Sequence, residues 1–200
     1  LVTVDVFPND QLASGNMSKG LELLADGTVD IDIHSTSIIA NLDNRMMVST
    51  LPWIFADYQE AEDAFFGEGG EFLSSVLAEK GITYLGAVHN GFKAMTNSKH
   101  PIQDPDDLKG LKIRVQQSPT NVEMMRLLGG SATPMGFGEV YTALQSKIID
   151  GAENNEMALT DNGHGDVCKY YSYDMHQMIP DILIGNIAFL DGLSEEERAV

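Results

Sequence analysis

Cysteine is nearly absent from this sequence: Cys168 stands alone among 200 residues. No intramolecular disulfide can form. A lone thiol suits a cytosolic protein, or a bacterial periplasmic one that folds without bridges. A Cys168 nucleophile finds no supporting motif nearby. Positive charge is scarce as well. Twelve Lys and Arg face 30 Asp and Glu, a net charge of −18 with no basic cluster. Such a chain is repelled by nucleic acid and by anionic lipid. An anionic ligand would have to be held by a few local cations against the field of the whole molecule. No apolar run reaches the roughly 18 residues of a membrane-spanning helix. There is no GxSxG, no phosphate loop and no zinc-spaced His/Cys set. Low-complexity segments and solenoid-period repeats are missing too.

What the chain does have is a 43% hydrophobic composition, enough for the core of one large domain or two small lobes. Strand and helix signals alternate along it. "VTVDVF" reads as a strand, "MSKGLELLADG" as a helix closed near Gly27, and "TVDIDIH" as a strand with Val29, Ile31 and Ile33 on one face. Asp57 with Glu60 caps a helix that "GEGG" interrupts before Phe72, Leu73, Val76 and Leu77 resume it. "ITYLGAV" is a strand, "HNG" a turn signal and "FKAMTNS" a further extended piece. Asp104, Pro105 and Gly110 delimit a short helix. In "LKGLKIRVQQSPTN", Leu111, Ile113 and Val115 alternate with Lys112, Arg114 and Gln116, as in a half-buried strand. Ser118 and Pro119 then start a helix with Val122, Met124, Met125 and Leu128 inside. "GEVYTALQSKIIDG" is a helix leading into a short strand, and "DILIGNIAFL" a long apolar strand.

This alternation predicts an α/β fold with largely parallel sheets. "ELLADGTVDID" and "TALQSKIIDGA" superpose without gaps, Leu24 on Leu144, Val29 on Ile149 and Asp30 on Asp150. The echo reads either as chance likeness of two helix-to-strand units or as two related lobes with a cleft between them. In open α/β sheets ligands sit beyond the carboxyl ends of the strands. Arg114 lies near such an end, and the following helix aims its positive end at the same crevice. A guanidinium meets both oxygens of a carboxylate with a flat fork of donors. By alternation alone, however, Arg114 falls on the wet face of its strand.

The stretch "LKGLKIRVQQSPTNVEMMRLLGGSATPMGFGEVYTALQSKIIDGAENN" resembles the solute-binding subunit of tripartite ATP-independent periplasmic (TRAP) transporters. "LKIRV", "TPMGFGEVYTALQ" and "IDGAENN" carry the likeness in order and at family spacing. "LPWIF", "HNGFKAMTNS" and "KYYSYDMHQMIPDILI" extend it through the chain. The resemblance implies a two-lobed periplasmic binding protein fold, each lobe a mainly parallel sheet flanked by helices. Residues 1–90 and 178–200 would form lobe I and residues 91–177 lobe II, with crossings at "GFKAMTNS" and "DILIGNIAF". It also implies a DctP-like protein that captures a small organic acid and delivers it to the permease subunits, without a cofactor or a bound metal. Family members begin earlier and continue past residue 200, and the strand-like start and the abrupt "LSEEERAV" end agree with a fragment.

The family's ligand contacts map onto Arg114 for the carboxylate, Asn154 after "GAE" as its helper, and Phe137 packed on the ligand. Lys93 stands where a second arginine often follows "NGF"; it keeps the charge and loses the fork. His34, Ser35 and Ser37 match a loop that contacts the distal part of the ligand, His176 a position used against hydroxyls, and Asn90 and Gln116 lie near these contacts. Each has a structural alternative: Phe137, His34 and His176 as core, Asn154 as a turn cap, Lys93 as a surface lysine, and Glu153 as a partner for Arg114 or another cation. "RVQQS", "DGAENN" and "KYYS" look most like the branch that takes sugar acids, uronates or aldonates; a C4-dicarboxylate is the rival. Two other chemistries can be read from the residues. Asp30, Asp32 and His34 on one strand face could ligate a metal, although neighbours nearly 7 Å apart suit one ion poorly. Asp150 and Glu153, with Glu156 near, could form the acid/base pair of a carboxylate-dependent hydrolase.

Overall fold

The computed structural model describes residues 3–198. In chain order the helices are α1 (Met17–Ala25), α2 (Thr36–Ile39), α3 (Tyr58–Phe66), α4 (Glu68–Ala78), α5 (Pro119–Leu127), α6 (Val140–Gln145), α7 (Glu156–Thr160), α8 (His164–Val167), α9 (Ile187–Gly192) and α10 (Glu195–Arg198). The strands are β1 (Ile31–Ser35), β2 (Ile82–Asn97), β3 (Lys112–Val115), β4 (Ser131–Pro134), β5 (Gly151–Asn154) and β6 (Tyr170–Asn186). They form one six-stranded sheet in the order β1-β6-β2-β5-β3-β4.

The α/β class is as expected, but the sheet is mixed. β1–β6, β6–β2 and β2–β5 are antiparallel; β5–β3 and β3–β4 are parallel. Long β2 and β6 make the difference. They pair from Ile82↔Asn186 to Asn97↔Tyr170 and run through the whole sheet. The "HNG" turn signal is absorbed into β2. Between His89 and Phe92 the register slips by one residue, and Gly91 takes φ 82 there. A bulge with a glycine in the left-handed region bends a strand without ending it.

Other boundaries differ for local reasons. Residues 3–7 of the expected "VTVDVF" strand are irregular, with Val4, Val6 and Phe7 exposed and no strand partner; Val2 lies outside the described residues. In β1 the apolar face is the open one: Ile31 and Ile33 are exposed while His34 and Ser35 turn inward. "DILIGNIAFL" leaves the sheet at Asn186, whose side chain accepts from Phe189 N and starts α9. In α5 the buried positions are Asn121, Met124 and Met125, with Val122 and Leu128 half-buried. Capping at Asp57, the break at Gly67, and the Asp104 and Ser194 caps lie where the spacing puts them.

The internal echo is a repeated turn. Thr28 N and Val29 N both donate to Leu23 O; 120 residues on, Ile148 N and Ile149 N both donate to Ala143 O. Gly27 and Lys147 take the same left-handed conformation, φ 80 and 61. The buried hydrophobic residues fall into separate clusters. One joins α1, α2 and α4 to Ile82, Ile182 and Ile184; another gathers Met95 to Met125; a third gathers Val140 to Cys168.

Candidate functional site

Arg114 sits mid-sheet on β3, opposite Thr133 of β4 and Ala152 of β5. The sheet buries it: 1% of the residue is exposed, against the expectation of a wet face. Its Nε and Nη2 both donate to Met135 O, at 3.1 and 2.9 Å. Its Cζ lies 5.9 Å from the centre of the Phe137 ring, within cation–π range. Among the described residues no carboxylate pairs with it, and Nη1 has no acceptor. Burial depresses its pKa against the pull of Glu153, yet a guanidinium stays charged in proteins. A buried cation with unused donors is costly until an anion arrives.

These donors border a cleft of about 770 Å³, a usual size for a small-molecule site. His34, Ser35, Asn90, Arg114, Gln116, Phe137 and Asn154 all line it. Ser37, Lys93 and His176 do not. Ser37 is fully buried. Lys93 is neither a surface residue nor a cleft residue: its Nζ lies 2.7 Å from Glu153 Oε2 and 2.7 Å from Gln116 Oε1. His176 is fully buried between Asp174, at 3.0 Å, and Glu153, at 3.6 Å. Burial would raise the Glu153 pKa, but Lys93, His176 and Arg114 together hold it down at about 2. Burial lowers that of Lys93 to about 8, against Glu153. The pair is therefore ionised at neutral pH, and of the two expected partners for Glu153, Arg114 or another cation, the structure has the other cation, Lys93.

The rest of the cleft wall is acidic. Asp5, Asp10, Asp32, Glu139 and Asp181 line it, and among the described residues Arg114 is the one Lys or Arg that does. His34 Nε2 is 2.9 Å from Asp10 and 3.6 Å from Asp32. Burial opposes its protonation, but Asp10, Asp32 and Asp181 outweigh that and raise its pKa. Burial raises those of Asp32 and Asp181. Asn90 donates to Asp181 at 2.9 Å and accepts from Asn155 at 2.6 Å. Asn154 accepts from Asn155 N at 2.9 Å.

With Arg114, Phe137 and Asn154 converging on one cleft, the family can be tested directly, and residues 1–200 match bacterial extracellular solute-binding protein, family 7 (DctP). The chain belongs to this family. A TRAP periplasmic solute-binding protein from Anaerococcus prevotii with bound α/β-D-glucuronate is 47% identical, with a TM-score of 0.87 over 94% of this chain and 62% of that one. The 2,3-diketo-L-gulonate-binding periplasmic protein YiaO of Escherichia coli is 34% identical over 96% of this chain and 58% of its own length. The C4-dicarboxylate-binding periplasmic protein DctP of Rhodobacter capsulatus is 36% identical over 98% and 59%. The family 7 chain described here thus spans about three fifths of the length of these curated relatives.

Several residues in or beside this cleft carry little signal in the sequence of this family 7 chain. Asp10 and Asn155 carried no signal beyond their type. Asp181 did carry one, a charge opening the apolar run "DILI". His164 is buried with its ring centre 5.8 Å from that of Phe137 and Nδ1 unpaired. Burial, then Arg114, lower its pKa. The rival chemistries find no matching geometry. Asp150 takes Lys112 N and Lys99, away from the Glu153 pair. Asp32 and His34 meet, but among the described residues no group of three His, Cys, Asp or Glu is arranged to hold a metal. Cys168 is buried, and burial raises its pKa. Among the described residues no helix is long and apolar enough to cross a membrane.

Proposed function

We propose that this protein is the periplasmic solute-binding subunit of a TRAP transporter, that it takes a sugar acid such as a uronate or an aldonate, and that it hands the acid unchanged to the membrane permease. The observation that carries this reading is the charge pattern of the cleft: one buried guanidinium with open donors in a wall otherwise lined by carboxylates. A carboxylate on Arg114 neutralises a cation that is expensive to enclose. The carboxylates that line the cleft accept hydrogen bonds from hydroxyls and repel a second carboxylate. A C4-dicarboxylate would need another free cation there, and Lys93 is engaged by Glu153. The relative that binds D-glucuronate and the one named for 2,3-diketo-L-gulonate support the sugar-acid class.

In this reading residues 1–90 and 178–200 form one lobe and 91–177 the other, joined where β2 and β6 cross. The first two hydrophobic clusters, centred on α1, α2 and α4 and on Met95 to Met125, support that division, while Ala61, Phe92 and Met178 pack together across its boundary. Phe137 covers the ligand near Arg114, while His34, Ser35, Asn90 and Asn154 meet its oxygens. Closure excludes water and strengthens the charged contact.

Calorimetric titration with D-glucuronate, D-glucuronamide and succinate tests the proposal. D-glucuronate should bind, succinate should bind at least tenfold more weakly and the amide should fail, with the acid recovered unchanged. Equal affinity for acid and amide would remove the carboxylate clamp, and tighter binding of succinate would remove the sugar-acid assignment.

A further inference from the structure

Lys93 stands where the family resemblance places a ligand-binding cation, yet it lies outside the cleft wall. What it touches is the side chain of Gln116, which does line the cleft two residues beyond Arg114. Lys93 Nζ donates to Gln116 Oε1 at 2.7 Å, and Gln116 Nε2 donates to Ser35 Oγ at 2.8 Å. Lys93 is held in turn by Glu153 at 2.7 Å. All three polar ends are enclosed: Lys93 is 5% exposed, Glu153 0% and Ser35 6%.

An ammonium has donors only, whereas a primary amide has an acceptor end and a donor end. Two donors reach the Gln116 oxygen, Lys93 Nζ at 2.7 Å and Asn121 Nδ2 at 3.5 Å, and the short charged contact from Lys93 is the one that decides which end of Gln116 is oxygen. Without it the amide can turn over and aim its carbonyl oxygen at Ser35 and the cleft, where a carboxylate would meet a like partial charge. With it the NH2 group is fixed toward Ser35. The Ser35 hydroxyl then accepts from Gln116 and has its own hydrogen to give. Among the described residues no acceptor takes that hydrogen.

We infer that Lys93 is a positioning residue. It does not touch the ligand, but through Gln116 it orients a chain of donors, Lys93 to Gln116 to Ser35, whose last O–H and spare amide N–H face a ligand oxygen. This rests on the reading of the cleft as a carboxylate site. Pairing with Glu153 keeps the net charge of the arrangement near zero, so the cleft receives an oriented dipole rather than a second cation. That arrangement suits a monoanion whose remaining oxygens are hydroxyls.

The test is a double-mutant cycle read by calorimetry with D-glucuronate. Lys93→Met with Glu153→Gln removes both buried charges together and avoids stranding a carboxylate; thermal melts verify folding. This pair should weaken binding about tenfold, and its effect should vanish when Gln116→Ala is already present. Gln116→Glu, which keeps the contact with Lys93 but has no N–H, should bind more weakly than Gln116→Ala. Losses of equal size in both Gln116 backgrounds would make Lys93 a direct contact or a general support and would overturn the inference. So would wild-type affinity in the charge-removed pair or in Gln116→Glu. If the wild-type protein binds neither D-glucuronate nor any other sugar acid, the carboxylate reading fails and this inference with it. If the wild type binds and the losses are simply additive, only the positioning role fails.

Discussion

A guanidinium withdrawn from water holds its charge at a cost that two bonds to one carbonyl do not offset. Arg114→Ala should therefore lower sugar-acid affinity by about 3–5 kcal/mol, measured by calorimetry. Arg114→Lys keeps the charge and loses the fork, and should give up about 1.5–3 kcal/mol of that. His34 gives a pH signature. Its folded-state pKa is raised above an unfolded value of about 6.5, so its stabilisation is complete below that value and fades as pH rises through the folded one. Asp32 and Asp181, also raised, act with the same sign in their own range. His34 and His176 therefore favour a urea midpoint that climbs as pH falls from about 8 to about 6, while buried His164, whose pKa is lowered, works against them. His34→Gln should make the midpoint at about pH 6 lower relative to that at about pH 8 than in the unaltered protein. At this scale the sequence told much about type and little about direction. Arg114 was legible as an anion donor; that Lys93 would turn to Glu153 was not, because pairing depends on the register of β2 against β5, where Met95 faces Glu153.

The helix-to-strand turns at 23–29 and 143–149 share their hydrogen bonds, but one has glycine in the left-handed position and the other Lys147. A side chain there is strained. Lys147→Gly should stabilise the protein by up to about 1 kcal/mol, seen as a higher urea midpoint with unchanged slope. Gly151 in β5 is the opposite case: an added Cβ would lie 2.2 Å from Thr96 O and 2.7 Å from Asn97 Cβ. Gly151→Ala should cost about 1–3 kcal/mol by forcing β2 and β5 apart, measured in the same denaturation series. Caps and breaks were readable because they are set within four residues: Asp57, Gly67, Asp104 and Ser194 are local chemistry. Strand ends were not. Nothing near "HNG" says that β6 will continue alongside it, and β4, "SATP", has no apolar pattern of its own.

Across the whole molecule the net charge of −18 opposes the approach of any anion. Screening weakens that field, since the Debye length falls from about 30 Å at 0.01 M salt to about 8 Å at 0.15 M. The association rate for D-glucuronate should therefore rise with salt over that range in stopped-flow measurements, where a basic receptor's would fall. Composition made this expectation available before any fold was known, whereas the joining of all six strands into one sheet was not readable, because it follows from pairings as distant in sequence as Ile31 with Gly185. The β2–β6 ribbon has a last consequence. It contributes Ile82, Ile182 and Ile184 to one core and Met95 to another, so neither half owns a complete set of its own backbone partners. Nicking the exposed loops should release no stable piece, and melting should proceed as a single cooperative event, both halves going together.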